Sequence, residues 1–246
     1  MAADPPTLTI RRAFPRLPAA LVRELAGAPT GCIADARGRE GGLDPAIRPV
    51  IDRCRFAGSA VTVSAGPKDN LAAWAALELC REGDVVAIST GGYLGAAVIG
   101  DVYAGVARNR GVVAIITDGL VRDAEGLAEI GIPVFARGLS PASPFKRGPG
   151  EVGLPIALGG QRIECGDLLA GDLDGIVHVP SRDVEAMLGA LDAVREKERA
   201  MDEMVQSGGL SPPWLREALD RAGVRHVGER DPEEGDGPAE GDGARG

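Results

Sequence analysis

The chain has 246 residues, of which 27 are basic, 36 are acidic and 44% are hydrophobic, a composition typical of a soluble globular protein. No apolar run reaches the ~20 residues of a membrane-spanning helix, and the N-terminal sequence has no apolar secretory segment. Four separated cysteines and two histidines argue against a zinc site, a disulfide framework or a multi-histidine metal site. The composition therefore predicts a cytoplasmic protein in which any metal is bound by oxygen atoms and is Mg²⁺ or Mn²⁺.

The negative charge is concentrated near the C-terminus. Seven acidic residues and two arginines give residues 228–246 a net charge of −5, which leaves −4 for residues 1–227. The larger part has no basic stripe of the kind that nucleic-acid binding needs, so neither a nucleic-acid nor a membrane partner is expected. The C-terminal segment is rich in Gly, Pro and acidic residues and is predicted to be a disordered tail.

Strand-like and helix-like segments alternate up to residue 140. In chain order, the pattern predicts a helix over 17–25, a strand over 57–63, a helix from Asp69 or Asn70 to Leu79, strands over 84–89 and 95–99, a helix over 101–110, a strand over 112–117, a helix to about residue 130 and a strand over 134–137. This alternation is typical of an α/β domain.

The pattern changes after Ser140. A loop rich in Pro and Gly over 140–153 precedes short strands separated by glycine turns, which predicts an all-β insert region. A long helix is predicted from Ser181 to about Ser207. Another is predicted to begin at Ser211-Pro212, with proline at the first helical position.

The start of the helix over 101–110 is a candidate anion site. Gly100 and Asp101 begin this helix, so the backbone amides of Val102 and Tyr103 are available to a carboxylate or phosphate, which the helix dipole also favours. A Gly-Asp pair at a helix start is, however, most often a simple N-cap.

A second candidate follows the buried strand over 112–117, where Arg122 and Asp123 are adjacent. In α/β folds the carboxyl end of a strand is a common place for a binding site. Arginine can bind a carboxylate with two parallel hydrogen bonds, and an aspartate can hold a hydrated Mg²⁺. Taken alone, such a pair is usually a solvated surface ion pair. His178 is interpreted as a packed strand residue rather than a base.

Four segments form an ordered set of motifs: DNLAAWAALELCREGDVV, GGYLGAAVIGDVYAGVARNRGVVAIITDGLVRD, IGIPVFARG and GDLLAGDLDGIVHVP. Together they resemble the RraA/HMG-CHA aldolase family, whose members include class II pyruvate aldolases. The resemblance implies an RraA-like, swivelling-domain-like α/β fold, a layered α/β/β/α sandwich with C-terminal helices. It divides the chain into an N-terminal extension (1–24), an aldolase-like domain (25–208), a helical extension (209–227) and the acidic tail (228–246).

The family's Asp-x20-Arg-Asp signature corresponds to Asp101, Arg122 and Asp123. The resemblance implies that Asp123 anchors Mg²⁺, that Arg122 binds the pyruvate part of the substrate, and that Asp101 belongs to the catalytic set. It also implies that the helix start binds substrate oxygens through the backbone amides of Gly100, Asp101, Val102 and Tyr103. Tyr103 stands where a smaller aliphatic residue is more usual.

The implied activity is a divalent-metal-dependent cleavage of a 4-hydroxy-2-oxo diacid to pyruvate and a second oxo acid, with oxaloacetate decarboxylation as a side activity. With no plausible histidine, the base would be an Asp, a Glu or a water that one of them activates. The three lysines, Lys68, Lys146 and Lys197, lie in polar or loop contexts, which argues against a Schiff-base aldolase. The alternatives are a non-catalytic RraA-like regulator of a protein partner and a relative that acts on a different oxo or hydroxy acid.

Family members assemble as trimers or multiples of them, so the resemblance implies a homotrimer or hexamer in which a C-terminal helix completes the neighbouring site. Glu198 is the predicted catalytic acid from this helix, with Glu196 second and Asp35 as a weaker candidate. Charge pairing between residues four apart on a solvated helix is the alternative interpretation of either glutamate.

Overall fold

The computed structural model describes residues 7–225 and residue 227. The chain forms two compact units, the first ending at Glu196 and the second beginning at Lys197. The prediction for the acidic tail falls outside the described residues.

The helices and strands of the described residues follow the chain in a mixed α/β order. The helices are α1 (Ala19–Ala26), α2 (Thr30–Ala36), α3 (Leu71–Leu77), α4 (Asp101–Asn109), α5 (Ala124–Ile130), α6 (Val184–Gln206) and α7 (Leu215–Ala222). The strands are β1 (Leu8–Ile10), β2 (Arg48–Pro49), β3 (Phe56–Ala65), β4 (Asp84–Ser89), β5 (Ala97–Ile99), β6 (Ala114–Thr117), β7 (Leu120–Val121), β8 (Val134–Ala136), β9 (Gly138–Leu139), β10 (Gly150–Val152), β11 (Ile156–Leu158), β12 (Gln161–Ile163), β13 (Leu168–Asp172) and β14 (Gly175–Val179).

A parallel core of four strands, in the order β3-β4-β6-β8, forms the centre of the main sheet. These strands are runs of buried Val, Ile and Ala, as expected where both faces of a parallel sheet are covered. One face packs against α3, α4 and α5, and the other against the β11–β12 hairpin. The α/β class predicted from the alternation is therefore confirmed.

The predicted all-β insert is wrong in its placement. Strands β10 and β13 both pair antiparallel with β3 and so extend the main sheet, and β14 pairs with β13. Strand β3 is ten residues long, whereas β4 has only six. The edge of β3 that does not pair with β4 therefore has room for two short strands. Residues 56–59 pair with β13 and residues 63–65 pair with β10. Among the described strands after residue 140, only the β11–β12 hairpin stands apart.

The long helix α6 matches its prediction, but the last helix begins later than expected. Helix α7 starts at Leu215 rather than at Ser211-Pro212. Two prolines follow each other here, and a residue before proline is pushed away from the helical region. Pro212 is therefore a poor first helical residue because Pro213 follows it.

Across the described residues, no helix combines the length and the apolar character that crossing a membrane requires.

Candidate active site

Two short parallel strands bring the predicted site residues together. Strands β5 and β7 pair in a three-stranded sheet with β9, and Ile99 is the register partner of Val121. The backbone N–H of Arg122 donates to the carbonyl of Ile99 at 3.1 Å. Because both strands end at the same edge, the residues that follow them, Gly100 and Arg122, become neighbours. The 20 residues between Asp101 and Arg122 contain the rest of α4, then β6 and β7.

The side chains of Arg122 and Asp123 form the charged centre of this edge. Nε of Arg122 lies 3.1 Å from Oδ2 of Asp123, and Nη1 of Arg122 donates to Oγ of Ser143 at 2.6 Å. Both charged side chains are 38% exposed, so they are fixed by neighbours yet open to a ligand. Arg122 is thereby held in one orientation from two sides.

Gly100 allows the carboxylate of Asp123 to approach the start of α4. A Cβ atom at this position would clash with Oδ2 of Asp123 and would lie 3.0 Å from Cγ of Arg122. Gly126 has a similar relation to Asp101, because a Cβ there would lie 2.6 Å from Oδ2 of Asp101. The glycines therefore allow both carboxylates to sit close to the backbone.

The helix start differs in one respect from the sequence-based expectation. The amide of Val102 is not free, because it donates to Oδ1 of Asp101 at 2.6 Å. The N–H of Ala104 begins the helical bonding by donating to the carbonyl of Gly100. The amide of Tyr103 belongs to the first turn, whose N–H groups have no acceptor within the helix itself.

A cavity of about 100 Å³ opens at this edge and gathers the predicted residues of the first unit. Its lining residues are Asn70, Trp74, Ile99, Gly100, Asp101, Val102, Tyr103, Arg122, Asp123, Ser143, Pro144 and Lys146. The lining thus includes every predicted site residue except the candidate acids Asp35, Glu196 and Glu198. Sequence reasoning missed the members from α3 and from the loop after β9, which no local pattern distinguishes from core or loop residues.

The inner wall of the cavity carries two buried polar atoms that lack a partner among the described residues. Nδ2 of Asn70 donates to the carbonyl of Val98 at 2.9 Å, which fixes the amide, and Oδ1 is left without a donor. Nε1 of Trp74 is likewise buried without an acceptor. Such groups are costly unless a water or a ligand satisfies them, so this wall is suited to polar contact.

The side chain of Tyr103 is structural rather than catalytic. It is fully buried, its hydroxyl donates to the carbonyl of Ala73 at 2.9 Å, and its ring packs edge-on against Trp74 at 5.2 Å. Burial raises the pKa of Tyr103 well above its ordinary value, so the phenol stays protonated and cannot act as a base. The larger residue at this position shapes the cavity wall by supporting Trp74.

The donor set fits a hard, hydrated cation rather than a fully protein-bound metal. Nowhere in the described chain do three His, Cys, Asp or Glu side chains gather as a metal cluster. Asp123 and Asp101 both line the cavity and offer carboxylate oxygens. Mg²⁺ commonly keeps several waters and binds through one or two carboxylates, and such an ion matches this arrangement.

The acids predicted to act from a helix lie outside the cavity lining. Glu196 and Glu198 are exposed residues of α6, Glu196 at the end of the first unit and Glu198 in the second. Asp35 lies in α2, with Oδ1 3.9 Å from Nε of Arg39. The contribution of Glu198 to a neighbouring site stays a prediction. His178 is a buried strand residue as interpreted, bonded through Nε2 to Asp167 at 2.8 Å.

The sequence of the chain was compared with protein families and with curated proteins. The family model described as "RraA-like: Aldolase/RraA" matches residues 30–178. A curated relative from Halalkalibacterium halodurans, whose provisional name is 4-hydroxy-4-methyl-2-oxoglutarate aldolase, is 34% identical over 175 residues, which cover 71% of this chain and 81% of the relative.

Two solved structures share the fold. The RNA-processing inhibitor RraA from Thermus thermophilis is 31% identical, with a TM-score of 0.59, and the match covers 62% of this chain and 93% of that one. Streptomyces coelicolor RraAS2, described as an unusual member of the RNase ES inhibitor RraA family, is 26% identical, with a TM-score of 0.68 and coverages of 77% and 99%. Because the family model matches more than half of the chain, the chain belongs to the RraA-like family, described as Aldolase/RraA.

Proposed function

We propose that this protein is a divalent-metal-dependent aldol lyase that cleaves a 4-hydroxy-2-oxo diacid to pyruvate and a second oxo acid. The observation that carries the proposal is the meeting of Asp101, Arg122 and Asp123 in one cavity at the ends of β5 and β7. The aldolase name of a relative that covers most of this chain gives independent support.

Arg122 binds and orients the oxo acid in this mechanism. Its Nε and Nη1 atoms are engaged by Asp123 and Ser143, and the guanidinium has further N–H donors for substrate oxygens. These donors stabilise the negative charge that develops when the bond between C3 and C4 breaks and pyruvate leaves as its enolate. The first turn of α4 adds the amide of Tyr103 and the positive end of the helix dipole.

The 4-hydroxyl must lose its proton as this bond breaks. Asp101 lines the cavity, and its Oδ1 is held by the amide of Val102, so Oδ2 is the oxygen that accepts the proton, directly or through a water. A divalent cation held by Asp123 would polarise the 2-oxo group as a Lewis acid. Loss of CO₂ from oxaloacetate leaves the same electron pair on C3, so the same residues would support decarboxylation to pyruvate.

A pyruvate-release assay tests the proposal. Purified protein with Mg²⁺ is given 4-hydroxy-4-methyl-2-oxoglutarate or oxaloacetate, and pyruvate is followed with lactate dehydrogenase and NADH. We expect turnover that EDTA abolishes and excess Mg²⁺ restores, above a protein-free control. Turnover that survives complete chelation would remove the metal from the mechanism, and no turnover of either substrate would contradict the proposal.

The likeness to RraA proteins supports a second candidate, a non-catalytic regulator of a protein partner. The carboxylates separate the two candidates, because a regulator needs no metal. If no pyruvate is released and an Asp123→Asn variant still binds a protein partner as the wild type does, the regulator would be favoured.

We also propose that a homotrimer or hexamer forms and that Glu198 of one subunit completes the site of another. Mixing inactive Asp123→Ala subunits with inactive Glu198→Ala subunits should then restore part of the activity, because some sites would receive both intact residues. A monomer in solution, or no complementation despite proven subunit exchange, would contradict a shared site.

A further inference from the structure

Lys146 lies where the cavity meets solvent, in the loop between β9 and β10. It lines the cavity and is exposed. Among the residues that the structure describes, no carboxylate lies within ion-pair distance of its ammonium group. Its location in a loop was expected from the sequence, but its position at the cavity was not.

The backbone on both sides of Lys146 is fixed. The N–H of Phe145 donates to the carbonyl of Lys68 at 2.7 Å, and the carbonyl of Phe145 accepts from the N–H of Asn70 at 3.0 Å. On the other side, the N–H of Arg147 donates to Oδ2 of Asp69 at 2.6 Å. The attachment point of the lysine is therefore held beside the cavity although the loop is long.

The other cations of this region already have partners. Nζ of Lys68 lies 5.4 Å from the ring centroid of Phe145, and Cζ of Arg147 lies 4.9 Å from the same centroid. Arg122 is bonded to Asp123 and Ser143. Lys146 thus differs from its neighbours in lining the cavity without an ion-pair partner among the described side chains.

We propose that Lys146 binds the second carboxylate of a dicarboxylic 2-oxo acid and thereby makes the site selective for diacids over monoacids. This inference rests on the proposed function, which places the oxo acid end at Arg122. The ionised side chains that line the cavity balance, with Asp101 and Asp123 against Arg122 and Lys146. A divalent cation at Asp123 would leave two positive charges, which a dicarboxylate neutralises and a monocarboxylate does not.

Asn70, on the inner wall, does not offer a place for this second carboxylate. Oδ1 of Asn70 is an acceptor, and its amide is fixed by the bond to Val98, so a carboxylate placed there would meet a like partial charge. The mouth of the cavity, where Lys146 lies, offers a point charge on a flexible stem that can follow substrates of different length.

A matched pair of ligands isolates this contact without turnover. 2-Oxoglutarate and 2-oxopentanoate have the same carbon chain and the same oxo acid end, but the second has a methyl group in place of the distal carboxylate. We expect the Mg²⁺-loaded wild type to bind 2-oxoglutarate about 10-fold more tightly in calorimetry, as a close charge pair can provide. In Lys146→Met this preference should fall to about 2-fold or less, with the affinity for 2-oxopentanoate unchanged.

Two further variants serve as controls. Lys68→Met removes a neighbouring positive charge that does not line the cavity, and it should keep the preference. Lys146→Arg keeps the positive charge and should therefore keep most of the preference for 2-oxoglutarate. An unchanged preference in Lys146→Met, an equal loss in Lys68→Met, or no preference in the wild type would overturn the inference.

Turnover measurements separate this inference from the proposed function. The inference alone fails if diacids are cleaved but Lys146→Met has the same ratio of kcat/KM for a diacid to kcat/KM for a 4-hydroxy-2-oxo monoacid as the wild type. If calorimetry shows the expected preference but no 4-hydroxy-2-oxo acid is cleaved, the proposed function fails and the carboxylate contact stands. A covalent adduct at Lys146 after treatment with pyruvate and borohydride would overturn the inference, because it would identify a Schiff-base lysine.

Discussion

The side chains of Arg122 and Asp123 face each other although the two residues are adjacent in the chain, with Nε of Arg122 3.1 Å from Oδ2 of Asp123. In a continuing strand, neighbouring side chains would point to opposite faces. Asp123 instead has a φ of 60°, in the left-handed region, and precedes the first residue of α5. This backbone conformation turns its carboxylate back toward Arg122 and the start of α4.

Replacing Asp123 with Asn tests whether its charge binds the cation. Asn also tolerates the left-handed region, so the fold should persist. We expect Asp123→Asn to weaken Mn²⁺ binding by at least about 100-fold, since even partners behind a metal ligand are worth 10–100-fold. Calorimetry with Mn²⁺ and thermal unfolding measure the two properties separately. Asp174→Asn, at an exposed acid in the turn between β13 and β14 that does not line the cavity, is the control. Mn²⁺ binding retained by Asp123→Asn would rule out this anchor.

Gly100→Ala tests the close approach of Asp123 to the helix start. The backbone conformation of Gly100 is extended and suits alanine, so the added methyl group acts through its contact with the carboxylate. We expect kcat/KM to fall by at least about 10-fold, because small displacements of catalytic groups are costly. The matched control is Gly189→Ala in α6, where nothing lies within 4 Å of the new Cβ. That variant should keep activity and gain about 0.5–1 kcal/mol of stability. Equal activity in the two variants would show that the approach has no function.

The strand pairing explains why the site could be predicted from the sequence. The runs at 84–89 and 112–117 are apolar enough to be recognised as buried strands, and a helix between them follows from its glycine boundaries. Parallel strands then place their ends at one edge, so Asp101, Arg122 and Asp123 had to converge once β5 and β7 were neighbours. The family resemblance assigned roles to these residues that spacing alone left open.

Other members of the cavity could not be found in this way. Trp74 belongs to a short helix whose apolar pattern is that of a core element, and Asn70 is the residue that precedes this helix. Ser143 and Lys146 lie in a loop without periodicity. Their positions depend on tertiary contacts, such as the bond from Nη1 of Arg122 to Ser143. The pairing of β10 and β13 with β3 was missed for the same reason, because short strands carry no signal that specifies their partner.

A buried acid outside the site governs stability at low pH. Burial disfavours the ionised form of Asp167, but the hydrogen bonds that it accepts from His178 and from the amides of Glu164 and Ser181 outweigh this and hold the pKa of Asp167 below its ordinary value. A lowered pKa in the folded state stabilises the protein above the unfolded pKa, near pH 4, and this contribution is lost as the pH falls through the folded value.

Asp167→Asn removes this contribution at all pH values. We expect a loss of about 2–4 kcal/mol at neutral pH, because the variant leaves buried donors without a charged acceptor. The difference from the wild type should narrow as the pH falls below about 4, where the unfolded chain takes up a proton while the folded wild type keeps its carboxylate ionised down to its lower pKa. Urea unfolding over a pH series measures both effects. A difference that stays constant down to about pH 3 would contradict the role assigned to the charge.

The central claim is that Arg122 and a cation at Asp123 stabilise the enolate of pyruvate, and proton exchange tests it without knowledge of the natural substrate. Pyruvate in D₂O with Mg²⁺ and the protein should exchange its methyl protons, followed by NMR, far faster than in buffer with Mg²⁺ alone. Arg122→Lys keeps the charge but loses the planar donor geometry, so it should lower the exchange rate by about 100-fold or more while the fold persists. Arg110→Lys, at a surface ion pair with Glu78, should exchange as the wild type does. Exchange no faster than in protein-free buffer, with folded protein and saturating Mg²⁺, would contradict the account.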